Sequence, residues 1–294
     1  MTFRSGFVAL VGPPNVGKST LLNRILDEKL AIVSPKPQTT RNRIAGVYHG
    51  DGYQVVFIDT PGIHRTYTPL HRSMVASAQA VFKEVDIIAA MIDMHRPDAP
   101  EISVILSSLR RSKMPALLVI NKIDRGEKPG LLPIIDDYRR RYPFEAIIPV
   151  SALTGDGVDR LLSQVQSMLQ PGPPLFPPDM KTDQPESFFF SEIIREKIYR
   201  HTSRELPYSS AVSVESIKEN PERGMVSIEA RIHVESESQK GILIGQGGRM
   251  IKSIGQSSRE EIERRLGLKV FLGLKVRVEK NWSRNPRALR RLGY

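Results

Sequence analysis

Short apolar runs alternate with amphipathic segments over the first 170 residues of the chain. Five runs are rich in β-branched residues, as buried strands are: FVALV (7–11), QVVFI (54–58), DIIAAMID (86–93), ALLVI (116–120) and AIIPV (146–150). The segments between them repeat apolar residues at helical spacing. This alternation predicts an α/β fold with a mostly parallel sheet covered by helices.

A different pattern follows the segment QPGPPLFPPDMKTDQPES (170–187). This segment contains six prolines and one glycine, so it is predicted to form neither helix nor strand. After it we predict a helix (188–201), two strands (209–218 and 225–234), a helix, a glycine-broken turn, a helix (249–266) and a strand (268–280). The chain is therefore predicted to consist of a domain at 1–170, a proline-rich linker at 171–187 and a smaller α+β domain at 188–294.

Composition sets limits on the class of protein. With 294 residues the chain has room for two ordinary domains, and no apolar run approaches the roughly 18 residues that a membrane span needs. The first residues, MTFRSGFVALVG, have too short an apolar run for a signal peptide. The absence of cysteine excludes disulfides and thiolate metal sites and is consistent with a reducing compartment. We expect a cytoplasmic protein.

Positive charge is unevenly distributed along the chain. The net charge is +11, of which residues 1–180 carry +4 and residues 188–294 carry +8, with 21 basic and 13 acidic side chains in the latter segment. Such an excess is typical of proteins that bind polyanions, although a merely solvated basic surface is the alternative. The second domain is thus the better candidate for a polyanionic partner.

A phosphate-binding motif lies directly after the first predicted strand. Gly12, Gly17, Lys18 and Ser19 form the pattern GxxxxGKS, and a helical segment follows at once. Backbone N–H groups and the helix N-terminus surround an anion in such a loop. Lys18 is expected to reach the β- and γ-phosphates, and the Ser19 hydroxyl is expected to bind Mg²⁺.

Three further motifs end the following strands in the order that a guanine-nucleotide switch requires. VVFIDTPG supplies Asp59 for Mg²⁺ and Gly62 for the γ-phosphate, VINKID supplies Asp124 for the base, and VSALTG supplies a backbone N–H at Ala152 for guanine O6. A carboxylate can accept both N1–H and the exocyclic amine of guanine, which adenine does not offer in that arrangement. The predicted nucleotide-binding residues are Gly12, Pro13, Asn15, Val16, Gly17, Lys18, Ser19, Thr20, Asp59, Gly62, Asn121, Lys122, Asp124, Ser151 and Ala152.

The segments GPPNVGKSTLLN, KPQTTRNRIAG and DTPGIH resemble the Era-like family within the TRAFAC class of translation-associated GTPases, over nearly the whole chain. The resemblance implies hydrolysis of GTP to GDP with Mg²⁺ held by Ser19, Thr40 and Asp59. It places switch I at about 31–45 and switch II at 59–70. The residues implied in catalysis are Lys18, Thr40, Gly62 and Asn15.

Two positions suggest how this family member differs from small GTPases with a catalytic glutamine. Ile63 follows the DTPG motif and cannot orient a water, so slow unaided turnover is expected. In related GTPases an asparagine at the position of Asn15 ligates K⁺ beside the phosphates, where a cation offsets developing charge. The alternative is that Asn15 only caps hydrogen bonds within the loop.

The second domain resembles a KH domain of the bacterial (type II) topology. KGILIGQGGRMIKSIGQ places a GxxG loop between two helices, with Ile242, Ile244, Ile251 and Ile254 expected to face inward. Glycines let a nucleic-acid backbone approach closely, and the adjoining groove of such domains holds about four nucleotides. The predicted RNA-binding residues are Ile244, Gly245, Gln246, Gly247, Gly248, Arg249 and Lys252.

The tail VEKNWSRNPRALRRLGY is similar to the C-terminus of the same family. Trp282 is interpreted as a packing anchor rather than an RNA-stacking platform, and a basic final helix is expected. The resemblance implies binding to the single-stranded 3′ region of small-subunit ribosomal RNA, but not DNA, and a role in maturation of the 30S ribosomal subunit. An RNA-binding or chaperone module with incidental hydrolysis is the alternative, and association with a peripheral membrane surface is left open.

Overall fold

The computed structural model describes residues 2–37, 39–63, 69–126, 128–203 and 205–294. The chain forms two compact units, the first ending at Asp183 and the second running from Gln184 to Tyr294. None of the helices in the described ranges is long and apolar enough to cross a membrane.

The first unit is built on a single twisted sheet. Its strands are β1 (Arg4–Val11), β2 (Ile44–Gly50), β3 (Tyr53–Asp59), β4 (Ile87–Asp93), β5 (Ala116–Asn121), β6 (Ala146–Pro149) and β7 (Gln170–Pro171). The order is β2-β3-β1-β4-β5-β6, with β7 paired to β1. Only β2 and β7 pair antiparallel, so the predicted mostly parallel α/β sheet is confirmed.

Helices cover this sheet because its central strands are apolar on both faces. Every residue of β3 and β5 is buried. The helices are α1 (Lys18–Leu26), α2 (Pro69–Ala80), α3 (Glu101–Ser112), α4 (Leu131–Arg141) and α5 (Val158–Met168). Side chains of α2, α3 and α4, such as Ala78, Ile105 and Tyr138, share one core with the sheet. The carboxyl ends of the parallel strands are thereby left open for ligand-binding loops.

The proline-rich segment is more structured than its composition predicts. The expectation that it contains no strand is wrong at β7, where Gln170 and Pro171 pair with β1. Further on, the backbone carbonyl of Lys181 accepts a hydrogen bond from the N–H of Val47 (2.8 Å), and Thr182 Oγ1 donates one to the carbonyl of Ala45 (2.7 Å). These bonds satisfy backbone groups on the outer edge of β2, which would otherwise be an open sheet edge.

The second unit has the element order predicted from the sequence. It contains α6 (Glu186–His201), α7 (Leu206–Ser209), β8 (Ala211–Asn220), β9 (Met225–Val234), α8 (Glu237–Ile244), α9 (Arg249–Leu266), β10 (Lys269–Val278) and α10 (Pro286–Arg291). The sheet has the order β10-β9-β8, with β10 parallel and β8 antiparallel to β9. The predicted α+β character of this unit is confirmed.

The inward face of α8 differs from the prediction at one position. Ile242, expected in the core, is 48% exposed, and Leu243 is completely buried instead. Ile254 is buried as predicted, and Ile244 and Ile251 are half-buried. The cause is that Ile242, Leu243 and Ile244 are consecutive apolar residues in an eight-residue helix, so helical periodicity does not determine which of them faces the sheet.

Candidate functional sites

The phosphate loop connects β1 to α1 and depends on two glycines at crowded positions. Gly17 has a φ of 101°, and a Cβ there would lie 2.3 Å from Asn121 Nδ2. A Cβ on Gly12 would lie 2.8 Å from the carbonyl oxygen of Met91. These positions therefore accept only glycine, and the loop keeps the close backbone turn that cradles phosphates.

Lys18 stands at the start of α1, whose first turn has no side-chain cap. Its Nζ donates to the carbonyl oxygens of Gly12 (3.1 Å) and Pro13 (3.0 Å), so the ammonium is held over the loop. Burial lowers the pKa of Lys18 to about 8, while the nearby Asp59 carboxylate acts to raise it. The free helix N-terminus and a buried ammonium together form a site for polyphosphate.

Ser19, Thr40 and Asp59 converge although they are distant in the chain. Ser19 Oγ lies 2.6 Å from Asp59 Oδ2 and 2.7 Å from Thr40 Oγ1, and Thr40 Oγ1 lies 3.3 Å from the same carboxylate oxygen. Burial raises the pKa of Asp59 to about 6, and Lys18 and the two hydroxyls act to lower it. Asp59 Oδ1 is buried and has no hydrogen-bond partner among the residues that the structure describes.

This cluster has the chemistry of a Mg²⁺ site. Mg²⁺ binds hard oxygen ligands and usually takes one or two carboxylates together with phosphate oxygens. The hydroxyls of Ser19 and Thr40 and the carboxylate of Asp59, whose Oδ1 is buried and unsatisfied, match that preference. The three residues predicted for the metal are therefore brought together.

Gly62 and Ile63 continue the chain past Asp59 and contact the phosphate loop. A Cβ on Gly62 would lie 2.9 Å from the backbone of Pro14, and the N–H of Ile63 donates to the carbonyl of Gly12 (3.3 Å). The Ile63 side chain is 1% exposed and packs in the core that contains Val11 and Ala78. Its burial supports the interpretation that it does not orient a water. Of the predicted switch II, residues 64–68 lie outside the described part of the chain.

The base-recognition residues are joined to the phosphate loop through Asn121. Its Nδ2 donates to the carbonyl of Val16 (2.7 Å), and its Oδ1 accepts from the N–H of Ala152 (2.9 Å). The predicted contact between that N–H and guanine O6 stays a prediction. Ser151 Oγ donates to Asp124 Oδ1 (2.6 Å), which orients the predicted guanine acceptor.

A cavity of about 410 Å³ joins the phosphate loop, part of switch I, Gly62 and the segment after β5, but Asn121, Asp124, Ser151 and Ala152 do not line it. Asn15, Lys18, Ser19, Thr40 and Lys122 all line it, together with residues 32–35 of the predicted switch I. Two residues at or next to this cavity were not predicted from the sequence. Arg125 lines the cavity, and Asp93 pairs with Lys122 (2.7 Å). The position of Asp93 at the end of a predicted strand was the signal that could have identified it.

Asn15 links the phosphate loop to switch I. Its backbone has a positive φ of 60°, and its Nδ2 donates to the carbonyl of Pro35 (2.9 Å). The side chain thus donates a hydrogen bond to a residue outside its own loop. The simpler hypothesis was that it only caps hydrogen bonds within the loop.

In the second unit, a GxxG loop follows α8 and begins α9. Gly245, Gly247 and Gly248 have φ values of 71°, 60° and 77°. A Cβ at Gly247 or Gly248 would meet nothing within 4 Å, so the outer side of the loop is open. Arg249 and Lys252 follow on α9 and are exposed. An open, glycine-lined backbone next to cations is suited to a phosphate chain.

A groove of about 410 Å³ lies between α9 and β10, and its lining on α9 begins at Ile251, three residues after the loop. Ile251 and Lys252 line one side, and residues 270–272 and Leu274 line the other, where Phe271 is 54% exposed. Trp282, by contrast, is completely buried, donates from Nε1 to the carbonyl of Ser209 (3.0 Å) and stacks near Tyr294. Packing of Trp282 is confirmed, and an exposed aromatic surface is provided by Phe271 instead.

The fold and the two sites define a P-loop GTPase whose nucleotide-binding unit is followed by a KH unit. Family comparisons agree: residues 7–122 match the 50S ribosome-binding GTPase family, and residues 205–283 match the KH domain. The chain belongs to the Era family of GTPases. It is 55% identical to GTPase Era of Geotalea uraniireducens and 52% identical to that of Geobacter metallireducens, in each case over 99% of this chain and 98% of the relative.

Solved structures give the same assignment. Era of Aquifex aeolicus, as a variant bound to GDP and AlF₄⁻, is 40% identical with a TM-score of 0.96, and 99% of each chain is covered. Era in complex with MgGDPNP and nucleotides 1506–1542 of 16S ribosomal RNA gives the same values. The chain is thereby assigned as a GTPase of the Era family, with the same fold of a GTPase unit followed by a KH unit.

Proposed function

We propose that this GTPase binds the single-stranded 3′ region of small-subunit ribosomal RNA through its KH unit and acts in maturation of the 30S subunit. The proposal is supported by the full-length similarity to Era in complex with 16S ribosomal RNA nucleotides. The net charge of +8 over residues 188–294 supports it independently. We further propose a cytoplasmic location, consistent with the absence of cysteine.

One observation carries the RNA assignment. The loop is open on its outer side at Gly247 and Gly248, and the helix that follows it lines a groove with Lys252 opposite an exposed Phe271. Glycines admit the sugar-phosphate backbone, the cations neutralise it, and an aromatic ring offers a stacking surface for a base. The arrangement fits about four unpaired nucleotides rather than a duplex.

At the nucleotide site, each residue has a separate proposed task. Lys18 holds the β- and γ-phosphates and offsets their charge, while Ser19, Thr40 and Asp59 would hold Mg²⁺, which supplies charge neutralisation of the phosphates when bound. Asp124, oriented by Ser151, accepts the guanine N–H groups. Because Ile63 is buried, this segment provides no side chain at that position to orient the attacking water, and slow unaided turnover is expected.

Potassium is proposed as an additional activator. Asn15 lines the nucleotide cavity and contacts Pro35 of switch I, so a cation beside it would lie between the loop and the phosphates. GTP turnover should be faster in K⁺ than in Na⁺ at equal ionic strength, and Asn15→Ala should remove the difference. Equal rates of the native chain in both salts would contradict this part of the proposal.

RNA binding is tested by fluorescence titration of the full chain with single-stranded RNA and with DNA of matched sequence. Affinity should fall with salt with a log–log slope of about −3 for four neutralised phosphates, and RNA should bind more tightly than DNA. Gln246→Asp/Gly247→Asp should abolish binding, whereas Gln246→Asn/Gly247→Asn, which adds similar bulk without charge, should only weaken it. Both residue types tolerate the left-handed backbone at Gly247, so the difference between the two variants isolates charge. Binding by the carboxylate variant as tight as that of the native chain would contradict the loop assignment.

A further inference from the structure

Asp93 and Lys122 meet at the carboxyl ends of two adjacent parallel strands. β4 ends at Asp93 and β5 ends at Asn121, and these two residues are register partners. The N–H of Met94 donates to the carbonyl of Asn121 (3.0 Å), which extends the pairing beyond the strands. The fold therefore places Lys122, the residue after Asn121, beside Asp93.

Both carboxylate oxygens of Asp93 are engaged. Oδ2 accepts from Lys122 Nζ (2.7 Å), and Oδ1 accepts from the N–H of His95 (3.0 Å). Partial burial acts to raise the pKa of Asp93, but the hydrogen bonds from Lys122 and His95 outweigh it and hold the pKa below its ordinary value. Asp93 is thus a fixed anion, oriented by its own turn, that binds the Lys122 ammonium.

Lys122 forms part of the wall between two cavities. It lines the nucleotide cavity and also a second cleft of about 360 Å³, which Asp93 and Arg96 line as well. Because its ammonium is held on Asp93, Lys122 keeps a fixed position in this wall of the nucleotide cavity. The backbone of Lys122 is in the left-handed region (φ 68°), which turns the chain toward Asp124 two residues later.

We propose that Asp93 is a positioning residue for guanine nucleotides: it holds Lys122 as a wall of the nucleotide cavity and keeps its ammonium away from Asp124. The inference rests on the proposed role of Asp124 in binding guanine. Asp124 Oδ2 already lies 4.0 Å from the guanidinium of Arg125. A released Lys122 ammonium would be a second cation that competes with the guanine N–H groups for this carboxylate.

The experiment is a double-mutant cycle on the full chain, read out as the dissociation rate of fluorescently labelled GDP. Asp93→Ala should release GDP about tenfold faster, which corresponds to the loss of one charge-assisted contact. In the Lys122→Met background the same substitution should change the rate less than about twofold, because Asp93 acts through the ammonium. In steady-state turnover, Asp93→Ala should raise KM for GTP more than it changes kcat, because Asp93 acts on nucleotide binding through Lys122.

Asp93→Asn keeps an oxygen that can accept from Lys122 and should give an intermediate rate. If Asp93→Ala does not fold, Asp93→Asn serves as the test, in the native chain and in Lys122→Met. The inference then requires that Asp93→Asn speeds GDP release only when Lys122 is present. Suppose that the native chain prefers GDP to ADP, but that the Asp93 substitution speeds GDP release equally with Lys122 and with Met at position 122. That result would overturn this inference alone. A native chain without that preference would overturn the guanine site and this inference together.

Discussion

The side chain of Asn121 donates a 2.7 Å hydrogen bond to the carbonyl oxygen of Val16. The same side chain accepts from the N–H of Ala152, so one buried amide joins the phosphate loop, the end of β5 and the loop after β6. Base recognition and phosphate binding are therefore mechanically linked, although the residues involved are more than 100 positions apart in the chain.

Substitution of Asn121 should affect stability and nucleotide binding together. Asn121→Ala removes the partner of a buried carbonyl and of a buried N–H, and such losses cost about 1–3 kcal/mol each. We expect a lower free energy of unfolding in urea and weaker binding of GDP and GTP by similar factors. Asn121→Asp keeps the acceptor for Ala152 but places a buried carboxylate oxygen against the carbonyl of Val16, so at neutral pH it should lose at least as much stability as alanine. Unchanged unfolding and unchanged affinity for Asn121→Ala would contradict the link.

Asp124→Asn should shift base preference from guanine toward xanthine. An amide can donate to the xanthine oxygen that replaces the exocyclic amine, and Ser151 can still donate to the remaining side-chain oxygen. Competition of GDP and xanthosine diphosphate for the labelled nucleotide measures the shift. Asp136→Asn, on the exposed face of α4, is the matched control and should leave the preference for guanine unchanged. A variant at Asp124 that still prefers GDP would show that another residue reads the base.

Mg²⁺-dependent nucleotide binding should weaken below about pH 6. Burial raises the pKa of Asp59 to about 6, so its carboxyl group is protonated below that value and ionised above it. A metal ligand must be deprotonated, and Mg²⁺ affinity should therefore fall about tenfold for each pH unit further down. Mg²⁺ titrations of nucleotide affinity between pH 5 and pH 8 measure this. Asp59→Asn should give a weak and flat profile, and a flat native profile would contradict the assignment.

Gln54 should control how firmly the proline-rich segment is held. Its buried side chain accepts from the N–H groups of Leu175 (2.7 Å) and Phe176 (2.9 Å) and donates to the carbonyl of Phe176 (2.9 Å). Gln54→Ala should raise hydrogen exchange at those two amides at least about tenfold, because they lose their acceptor. Gln79→Ala, at an exposed position of α2, should leave this exchange unchanged. Protection that persists in Gln54→Ala would show that the strand edge alone holds the segment.

Much of the fold could be predicted because the decisive patterns are local. β3 is buried along its whole length, and its central residues 55–58 form an apolar run that the sequence shows directly. The loops after β1, β3 and β5 carry glycines and polar or charged residues in a combination that few other structures require. The convergence of Ser19, Thr40 and Asp59 follows from their motifs. The 2.6 Å contact between Ser19 and Asp59 confirms that those motifs share one site.

The remaining features depend on tertiary contacts that have no local signature. β2 contains Gly46 and ends at Gly50, and it is held between β3 and the proline-rich segment rather than by its own propensity. β7 is only two residues long and pairs with Arg4 and Ser5 of β1, a part of β1 that lies before its pairing with β4 begins at Val8. The pairing of Asp93 with Lys122 becomes visible only when strand order is known.

The central claim is that this GTPase acts on the small ribosomal subunit through the GxxG loop of its KH unit. Steady-state GTP turnover of the full chain in KCl, with and without small ribosomal subunits, tests it most directly. The two loop variants make the measurement specific, because Gln246→Asp/Gly247→Asp adds charge where phosphates are expected and Gln246→Asn/Gly247→Asn does not.

Small subunits should raise turnover of the native chain and, to a smaller degree, of the asparagine variant, and they should leave the carboxylate variant at its basal rate. All three chains should hydrolyse GTP equally without subunits, since the loop lies outside the nucleotide cavity. A native chain whose turnover does not respond to subunits would favour an RNA-binding module with incidental hydrolysis. Equal stimulation of the carboxylate variant would show that the ribosomal signal does not pass through the GxxG loop.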